Sequence, residues 1–225
     1  MTSKISKAII LAGGLGTRLR DAVPNLPKPL SPIQGKPFLE YLIDYWSNQG
    51  IDEFILSVGY MHEKIINHFG SFHNGKKLTY SIEDKPLGTG GGLINSLQYA
   101  KGNETILLLN GDTFFKINLK KFLEFHNEKK SNFTIATFKT KDLNRYLPIN
   151  IKSGKLVTQQ KIHLKKINIS VNGGVYLLNS GIIKNRNKYK SHNISFENTL
   201  IPEINNSNNI FKIDFNNFFI DIGVP

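Results

Sequence analysis

In the N-terminal half, two patterns of hydrophobic and polar residues alternate along the chain. Short apolar runs, such as AIILA (8–12) and TILLL (105–109), are typical of strands buried on both faces. Between them, apolar residues recur every three or four positions, as at Leu39, Leu42 and Trp46, which indicates helices with one buried face. The pattern predicts strands at 7–12, 53–58, 77–82 and 105–109, and helices at 38–49, 63–69, 92–99 and 119–130. This alternation predicts an α/β fold with a mainly parallel sheet covered on both faces.

The pattern changes after about residue 132. Short apolar segments separated by Gly, Asn and Ser follow: FTIATF (133–138), LPINI (147–151), KLVTQ (155–159) and VNGGVYLL (171–178). They predict a small antiparallel addition in the C-terminal half. SFENTLIPE (195–203) begins like a helix that Pro202 interrupts or ends, and NIFKIDF and FFIDIG are predicted to be closing strands. No repeat or linker divides the sequence, so we expect one domain over 1–225.

The composition narrows the class of protein. With 225 residues, 40% of them hydrophobic, the chain can bury a core, and its apolar runs are shorter than the roughly 20 residues needed to cross a bilayer. Cysteine is absent and no signal-peptide pattern precedes Ala8, so we expect a cytoplasmic protein without a membrane partner. The net charge of +12 comes from scattered lysines without a nucleic-acid recognition motif. A positive field around a site for polyanionic substrates explains it better than nucleic-acid binding does.

A glycine-rich turn follows the first predicted strand. In LAGGLGTRL (11–19), Gly13, Gly14 and Gly16 allow consecutive backbone N–H groups to point at an anion. Thr17 adds a hydroxyl donor and Arg18 a permanent cation. The spacing matches neither a P-loop nor G-x-G-x-x-G. A simple tight turn remains the alternative for this stretch alone.

Lys28 stands between two prolines in NLPKPLSP (25–32). Pro27 and Pro29 restrict the backbone on both sides and so hold the lysine at low entropic cost. A solvated surface lysine needs no such restriction, and we therefore expect a functional role for Lys28.

Together these stretches resemble the signature of the sugar-1-phosphate nucleotidyltransferases, G-G-x-G-T-R followed by P-K-P. The resemblance continues in the family's order through EDKPLGTGGGL (83–93), NGDTFF (110–115), VNGGVYLL (171–178), FENTLIPE (196–203) and FIDIGVP (219–225). KPFLEYLIDYW, PLGTGGG and LNGDTFF are most similar to the family's guanylyltransferases for D-glycero-α-D-manno-heptose 1-phosphate. The resemblance implies a Rossmann-like three-layer fold, with 1–130 binding the nucleotide and 131–225 the sugar phosphate.

The resemblance also implies which residues bind the nucleotide. Arg18 would bind the β- and γ-phosphates, and Lys28 would bridge phosphates near the reacting centre; with Asp112 they form the implied catalytic set. Gly88 and Thr89 lie where the family contacts base and ribose. The implied nucleotide contacts are Leu11, Ala12, Gly13, Gly14, Gly16, Thr17, Glu83, Pro86, Gly88 and Thr89. For the glycines at 90–92, the alternative is that they only permit close helix packing.

Two aspartates are the candidate metal ligands. Asp112 follows a buried strand and Asp221 lies more than a hundred residues later; taken separately, each could be an ordinary turn residue. Two carboxylates at strand ends facing one pocket would suit Mg²⁺. The resemblance identifies Asp112 and Asp221 as the family's metal-binding pair.

The implied sugar-phosphate contacts are Gly111, Lys161, Asn172, Gly173 and Glu197. Glu197 matches the family glutamate that accepts hydrogen bonds from sugar hydroxyls, and its alternative is an ordinary acidic residue in a first helical turn. The sequence departs from the family's Glu-Lys-Pro at TQQKIHL, where Gln160 precedes Lys161. Lys165 or Lys166 could therefore replace Lys161 at the sugar phosphate.

The implied reaction is attack by a sugar 1-phosphate oxygen on the α-phosphorus of a nucleoside triphosphate, releasing pyrophosphate. The nucleotide sugar would supply surface polysaccharide synthesis. Glu83 lies where related enzymes contact the base, and a carboxylate matches the two adjacent donors of guanine, which predicts GTP. The alternatives are mannose or glucose 1-phosphate with GTP, UTP, dTTP or CTP, or a non-catalytic regulatory subunit that binds nucleotide sugar. The oligomeric state is open, with a homodimer as one option.

Overall fold

The computed structural model describes residues 5–14, 25–100, 102–142, 146, 148–156, 169–206 and 209–223. Within them the strands are β1 (Lys7–Leu11), β2 (Pro32–Ile33), β3 (Lys36–Pro37), β4 (Glu53–Val58), β5 (Phe72–His73), β6 (Lys76–Ile82), β7 (Thr105–Asn110), β8 (Thr113–Phe115), β9 (Phe133–Thr140), β10 (Ile151–Lys152), β11 (Lys155–Leu156), β12 (Ile169–Asn179), β13 (Ile210–Asp214) and β14 (Phe219–Asp221). The α-helices are α1 (Phe38–Ser47), α2 (His62–Phe69), α3 (Gly88–Ser96), α4 (Leu119–Glu128) and α5 (Ile201–Asn205). No helix among these residues is long and apolar enough to span a membrane.

Eight of the described strands form one mixed sheet in the order β13-β9-β12-β7-β1-β4-β6-β5. The β7-β1-β4-β6 segment is parallel throughout, as the continuous apolar runs predict. β12 is antiparallel to both β7 and β9, which confirms the predicted antiparallel addition. β13 differs from that expectation, because it runs parallel to β9.

The sheet carries a hydrophobic core on each face, because successive strand residues point to opposite sides. Ala8 and Ile10 of β1 pack in the core that includes α1, α2 and α4. Ile9 lies in the opposite core with residues of α3 and α5. This arrangement confirms the predicted three-layer α/β fold.

The third helix begins earlier than the sequence predicts. The prediction starts at residue 92, because three glycines in succession are poor helix formers, but α3 begins at Gly88. A Cβ on Gly91 would lie 2.8 Å from the carbonyl oxygen of His192, and one on Gly90 would lie 3.0 Å from Ile194 Cγ1. Close packing against residues 192–195 therefore outweighs helix propensity, and it agrees with the packing alternative for the glycines at 90–92.

The segment 195–205 is helical in two parts. Ser195 caps a π-type turn over Phe196–Leu200 by accepting a hydrogen bond from the Asn198 N–H at 3.1 Å. α5 follows directly, with Pro202 in its first turn, where the missing N–H is tolerated. The π-type turn ends at Leu200, just before Pro202, as the predicted interruption implies, but the helical segment continues through Pro202 to Asn205.

Candidate active site

A cavity of about 410 Å³ lies beyond the carboxyl ends of β1 and β7. Ligands of open α/β sheets bind at this edge. The described residues that line it are Leu11, Ala12, Gly13, Gly14, Lys28, Pro29, Ser57, Glu83, Pro86, Gly88, Thr89, Asn110, Gly111, Asp112 and Asn193. All described residues predicted to contact the nucleotide are in this wall.

The two predicted metal ligands are brought together by a short antiparallel pair. Asp112 directly precedes β8, and Asp221 ends β14, where it pairs with Thr113. The N–H of Ile222 donates to the carbonyl of Asp112 at 2.9 Å. Asp112 and Asp221, more than a hundred residues apart in sequence, are thus neighbours in the backbone pairing.

Lys28 contacts Asp112 from a third segment. It begins a 3₁₀ turn, Lys28–Leu30, after Pro27 in an extended conformation. Its Nζ lies 2.5 Å from Oδ2 of Asp112, and its side chain is 14% exposed against 38% for Asp112.

Gly223 shows how closely the three charges converge. A Cβ built there would lie 2.7 Å from Asp221 Oδ1, 2.8 Å from Lys28 Nζ and 3.2 Å from Asp112 Oδ2. The N–H of Gly223 also donates to Asp221 Oδ1 at 2.6 Å. Two hard oxygen donors with one cation beside them form a site that suits Mg²⁺, whose remaining ligands are typically phosphate oxygens and water.

The end of β1 is held against both neighbouring strands. The N–H of Ala12 donates to the Ser57 carbonyl at 2.8 Å, and that of Gly111 donates to the Leu11 carbonyl at 2.9 Å. A Cβ on Gly111 would lie 2.5 Å from the Leu11 oxygen. Gly111, predicted to contact the sugar phosphate, therefore lines the cavity while its N–H is used within the fold.

Glu83 is a half-buried residue of the cavity wall. Its Oε1 accepts from the Ser57 hydroxyl, and its Oε2 accepts from the Leu87 N–H, both at 3.0 Å. Burial raises the pKa of this carboxyl above 4.5, and the two hydrogen bonds partly offset the rise. A Cβ on Gly13 would lie 2.8 Å from Oε1, so the first glycine-rich turn rests directly on this carboxylate.

The second glycine-rich turn contacts the C-terminal half. Gly88 has φ +70°, and a Cβ there would lie 2.5 Å from the Ile194 carbonyl oxygen and 2.7 Å from Asn193 Oδ1. The N–H of Gly90 donates to the same carbonyl at 2.9 Å. Glycine is needed at 88 for both its backbone conformation and its close approach.

Of the predicted sugar contacts, Asn172, Gly173 and Glu197 are described residues that lie outside the cavity wall. β12 carries a bulge between Asn172 and Val175. The amide of Asn172 donates to the Tyr176 hydroxyl at 2.7 Å and accepts from the Gly174 N–H at 3.0 Å. A Cβ on Gly173 would lie 2.6 Å from the Phe115 ring, so this glycine permits close packing.

Glu197 contacts the cavity wall by a hydrogen bond with Thr89. Its Oε2 accepts from the hydroxyl of Thr89 at 3.3 Å and from that of Ser195 at 3.2 Å. Predicted contacts Gly16, Thr17, Arg18 and Lys161 lie outside the described residues, as do Gln160, Lys165 and Lys166.

Four wall residues were not predicted from the sequence. Asn110 directly precedes Gly111 at a strand end, and Ser57 is a polar residue within a buried strand, so position and polarity could have indicated both. Pro29 is predicted only to restrict the backbone beside Lys28. Asn193 carries no local signal, because tertiary packing alone brings its loop to the cavity.

Comparisons with known proteins agree with this geometry. The profile of the Nucleotidyl transferase family matches residues 7–225. The chain is 39% identical to D-glycero-alpha-D-manno-heptose 1-phosphate guanylyltransferase of Aneurinibacillus thermoaerophilus, over 97% of its own length and 94% of the relative's. It is 40% identical to the protein of the same name from Campylobacter jejuni, over 97% and 95%. HddC from Yersinia pseudotuberculosis, in a crystal structure complexed with GMP-PN, superposes with a TM-score of 0.80 at 32% identity, covering 98% of this chain and 95% of that one.

The similarity extends over nearly the whole chain in both sequence and structure. The chain therefore belongs to the nucleotidyl transferase family, as one of its sugar-1-phosphate nucleotidyltransferases. This confirms the family predicted from the order of the motifs. The family typically uses a divalent metal, and the oxygen donors of Asp112 and Asp221 fit one.

Proposed function

We propose that the chain joins GTP to D-glycero-α-D-manno-heptose 1-phosphate, giving GDP-heptose and pyrophosphate. The two relatives at 39% and 40% identity carry the name of this activity. The observation that supports it most directly is the convergence of Asp112, Asp221 and Lys28 beside the cavity formed by both glycine-rich turns.

The nucleophile needs no general base. A phosphate monoester has a second pKa of about 6, so the attacking sugar-phosphate oxygen is already anionic near neutrality. The protein must instead overcome the repulsion between two polyanions and align them for in-line displacement. Lys28 lies where it can neutralise a phosphate next to Asp112, and Arg18 is proposed to do the same for the β- and γ-phosphates.

Asp112 and Asp221 would hold Mg²⁺. When bound, the ion would neutralise charge that develops on the phosphate oxygens during displacement. In the structure Lys28 Nζ donates to Asp112 Oδ2. The lysine therefore stabilises one carboxylate of the pair and lies within reach of any phosphate bound there.

Glu83 is proposed to recognise the base. Guanine presents N1–H and an exocyclic amine side by side, and one carboxylate can accept from both donors. Each oxygen of Glu83 already accepts one hydrogen bond, which fixes the carboxylate, and each keeps a further lone pair. Uracil and thymine present acceptors beside a single donor, which a carboxylate would repel.

The sugar would lie toward the C-terminal half, with 1–130 binding the nucleotide and 131–225 the sugar phosphate. Glu197 is proposed to accept hydrogen bonds from its hydroxyls, near Asn172 and Gly173. Lys161 is proposed to hold its phosphate. The product would serve as a precursor of surface polysaccharide.

A pyrophosphate-release screen tests this proposal. GTP, UTP, dTTP and CTP are each paired with the 1-phosphates of D-glycero-α-D-manno-heptose, mannose and glucose, with Mg²⁺ present. We expect GTP with the heptose phosphate to give the highest kcat/KM by at least about tenfold, as one well-placed hydrogen-bonded contact provides. A higher value for another pair would contradict the proposed specificity. Absence of turnover with every pair would favour the non-catalytic alternative.

A further inference from the structure

We propose that Thr89 is a positioning residue for the sugar side of the site, although it lies in the turn predicted to bind the nucleotide. Through its hydroxyl it would fix the carboxylate of Glu197 in the orientation that receives the sugar. The inference rests on the proposed role of Glu197 as a ligand of the sugar hydroxyls. It does not depend on which sugar is bound.

The Thr89 hydroxyl connects the two halves of the chain. It accepts a hydrogen bond from the Phe196 N–H at 2.9 Å and lies 3.3 Å from Oε2 of Glu197, to which it donates. One hydroxyl thus satisfies a backbone donor at the start of the π-type turn and orients the next side chain. Turns of this type are frequent at functional sites.

A second hydroxyl completes the orientation of Glu197. Ser195 Oγ donates to the same Oε2 at 3.2 Å while accepting from the Asn198 N–H. Among the described residues no donor contacts Oε1 of Glu197. The carboxylate is therefore held through one oxygen, and the other keeps its acceptor capacity for a ligand.

Tyr176 is a buried phenol that lies near both Glu197 and Asp112. The pKa of this fully buried phenol is raised by burial and, to a smaller extent, by the negative charges of Glu197 and Asp112. The two carboxylates therefore lie within electrostatic reach of one hydroxyl. Thr89 therefore supports a carboxylate that, like Asp112, lies near the Tyr176 hydroxyl.

The backbone around Thr89 leaves little freedom for compensation. Gly88 and Gly90 both contact the segment at Ile194 so closely that a Cβ would lie 2.5 Å and 3.1 Å from its carbonyl oxygen. The N–H of Ile194 also donates to the Leu87 carbonyl at 2.8 Å. Loss of the Thr89 hydroxyl therefore cannot be repaired by sliding one segment along the other.

The test is a comparison of KM values for the two substrates, using the sugar 1-phosphate on which the wild-type chain is most active. For Thr89→Val, which keeps the shape but removes the hydroxyl, we expect KM for the sugar phosphate to rise about tenfold, as for loss of a hydrogen bond to a charged group. KM for the nucleotide should change less than about twofold, and Thr89→Ser should restore both values. In the double variant Thr89→Val/Glu197→Gln, the effect should be no larger than that of Glu197→Gln alone.

Several outcomes would overturn the inference. A rise in nucleotide KM equal to or larger than that for the sugar phosphate would make Thr89 a nucleotide contact only. Failure of Thr89→Ser to rescue, or additive effects in the double variant, would remove the link to Glu197. If Thr89→Val folds poorly by circular dichroism, Thr89→Ala replaces it with the same expectations. A wild-type chain without turnover on any sugar phosphate would overturn the proposed function, and this inference with it.

Discussion

Gly13 and Gly14 offer a matched pair of substitutions at the first glycine-rich turn. Neither glycine has a positive φ, so an added methyl group acts through space rather than through backbone strain. A Cβ at 13 would lie 2.8 Å from Glu83 Oε1 and 3.2 Å from its Cδ, whereas one at 14 would meet no atom of the described residues within 4 Å. The two variants therefore add the same atom at adjacent positions, but only the one at Gly13 is expected to create a close contact.

The cost at position 13 follows from how Glu83 is held. Moving Oε1 from 2.8 Å to ordinary contact at 3.4 Å requires a shift of about 0.6 Å. The Ser57 hydroxyl and the Leu87 N–H oppose that shift. Overpacking of this kind costs about 1–3 kcal/mol. For a chain of this size each kcal/mol lowers Tm by roughly 2–4 °C, so we expect Gly13→Ala to lower Tm by roughly 2–12 °C.

The two variants are compared by their Tm in differential scanning calorimetry and by their KM for the nucleotide. Gly14→Ala should leave Tm unchanged or raise it slightly, because the unfolded chain loses freedom. Gly13→Ala should also raise KM for GTP by about tenfold, the equivalent of roughly 1.4 kcal/mol, since the carboxylate that we propose recognises the base is displaced. Equal Tm values for the two variants, with no change in KM for GTP in either, would refute the reasoning.

The remaining predictions concern Glu83, Lys28 and Gly173. Burial raises the pKa of Glu83, so the charge that we propose binds guanine is lost as pH falls through a pKa above the ordinary value for Glu. KM for GTP should rise in that range, and Glu83→Gln should remove this pH dependence. The same raised pKa destabilises the fold as pH rises through it, so Glu83→Gln should keep or raise Tm at pH 7 in calorimetry, and a lower Tm would contradict this. Lys28→Met should reduce kcat by about 100- to 1,000-fold in the pyrophosphate assay with little loss of Tm, and near-normal turnover would exclude Lys28 from catalysis. Gly173→Ala should lower the free energy of unfolding in urea by about 1–3 kcal/mol, because its Cβ would meet both the Phe115 ring and the Ala136 carbonyl oxygen, and an unchanged midpoint would contradict this.

The strands of the parallel segment could be predicted from the sequence because their apolar runs are continuous. β4 has the predicted bounds, 53–58, and the apolar positions Leu39, Leu42 and Trp46 of α1 are buried as their spacing predicts. Helix ends were less predictable. α3 begins four residues earlier than expected, because its glycines pack against a distant segment whose position no local rule reveals.

The residues of the candidate site also differ in how far the sequence alone predicts them. The glycine-rich turn, Lys28 and Glu83 carry local signals, either in their spacing or in their position at a strand end. The pairing of Asp112 with Asp221 was implied only by the family resemblance, since neither spacing nor periodicity relates residues so far apart. The contact between Thr89 and Glu197 and the presence of Asn193 in the cavity wall depend on tertiary packing alone.

The most direct test of whether Asp112 and Asp221 hold one cation together is the binding of Mn²⁺, a spectroscopic substitute for Mg²⁺. Its binding is measured by electron paramagnetic resonance in the presence of a non-hydrolysable GTP analogue. We expect one tightly bound ion per chain in the wild type, and binding weaker by at least about tenfold in both Asp112→Asn and Asp221→Asn. Glu128→Gln, which changes an exposed acid on α4, should bind as the wild type does. Wild-type affinity in either aspartate variant would contradict the shared metal site.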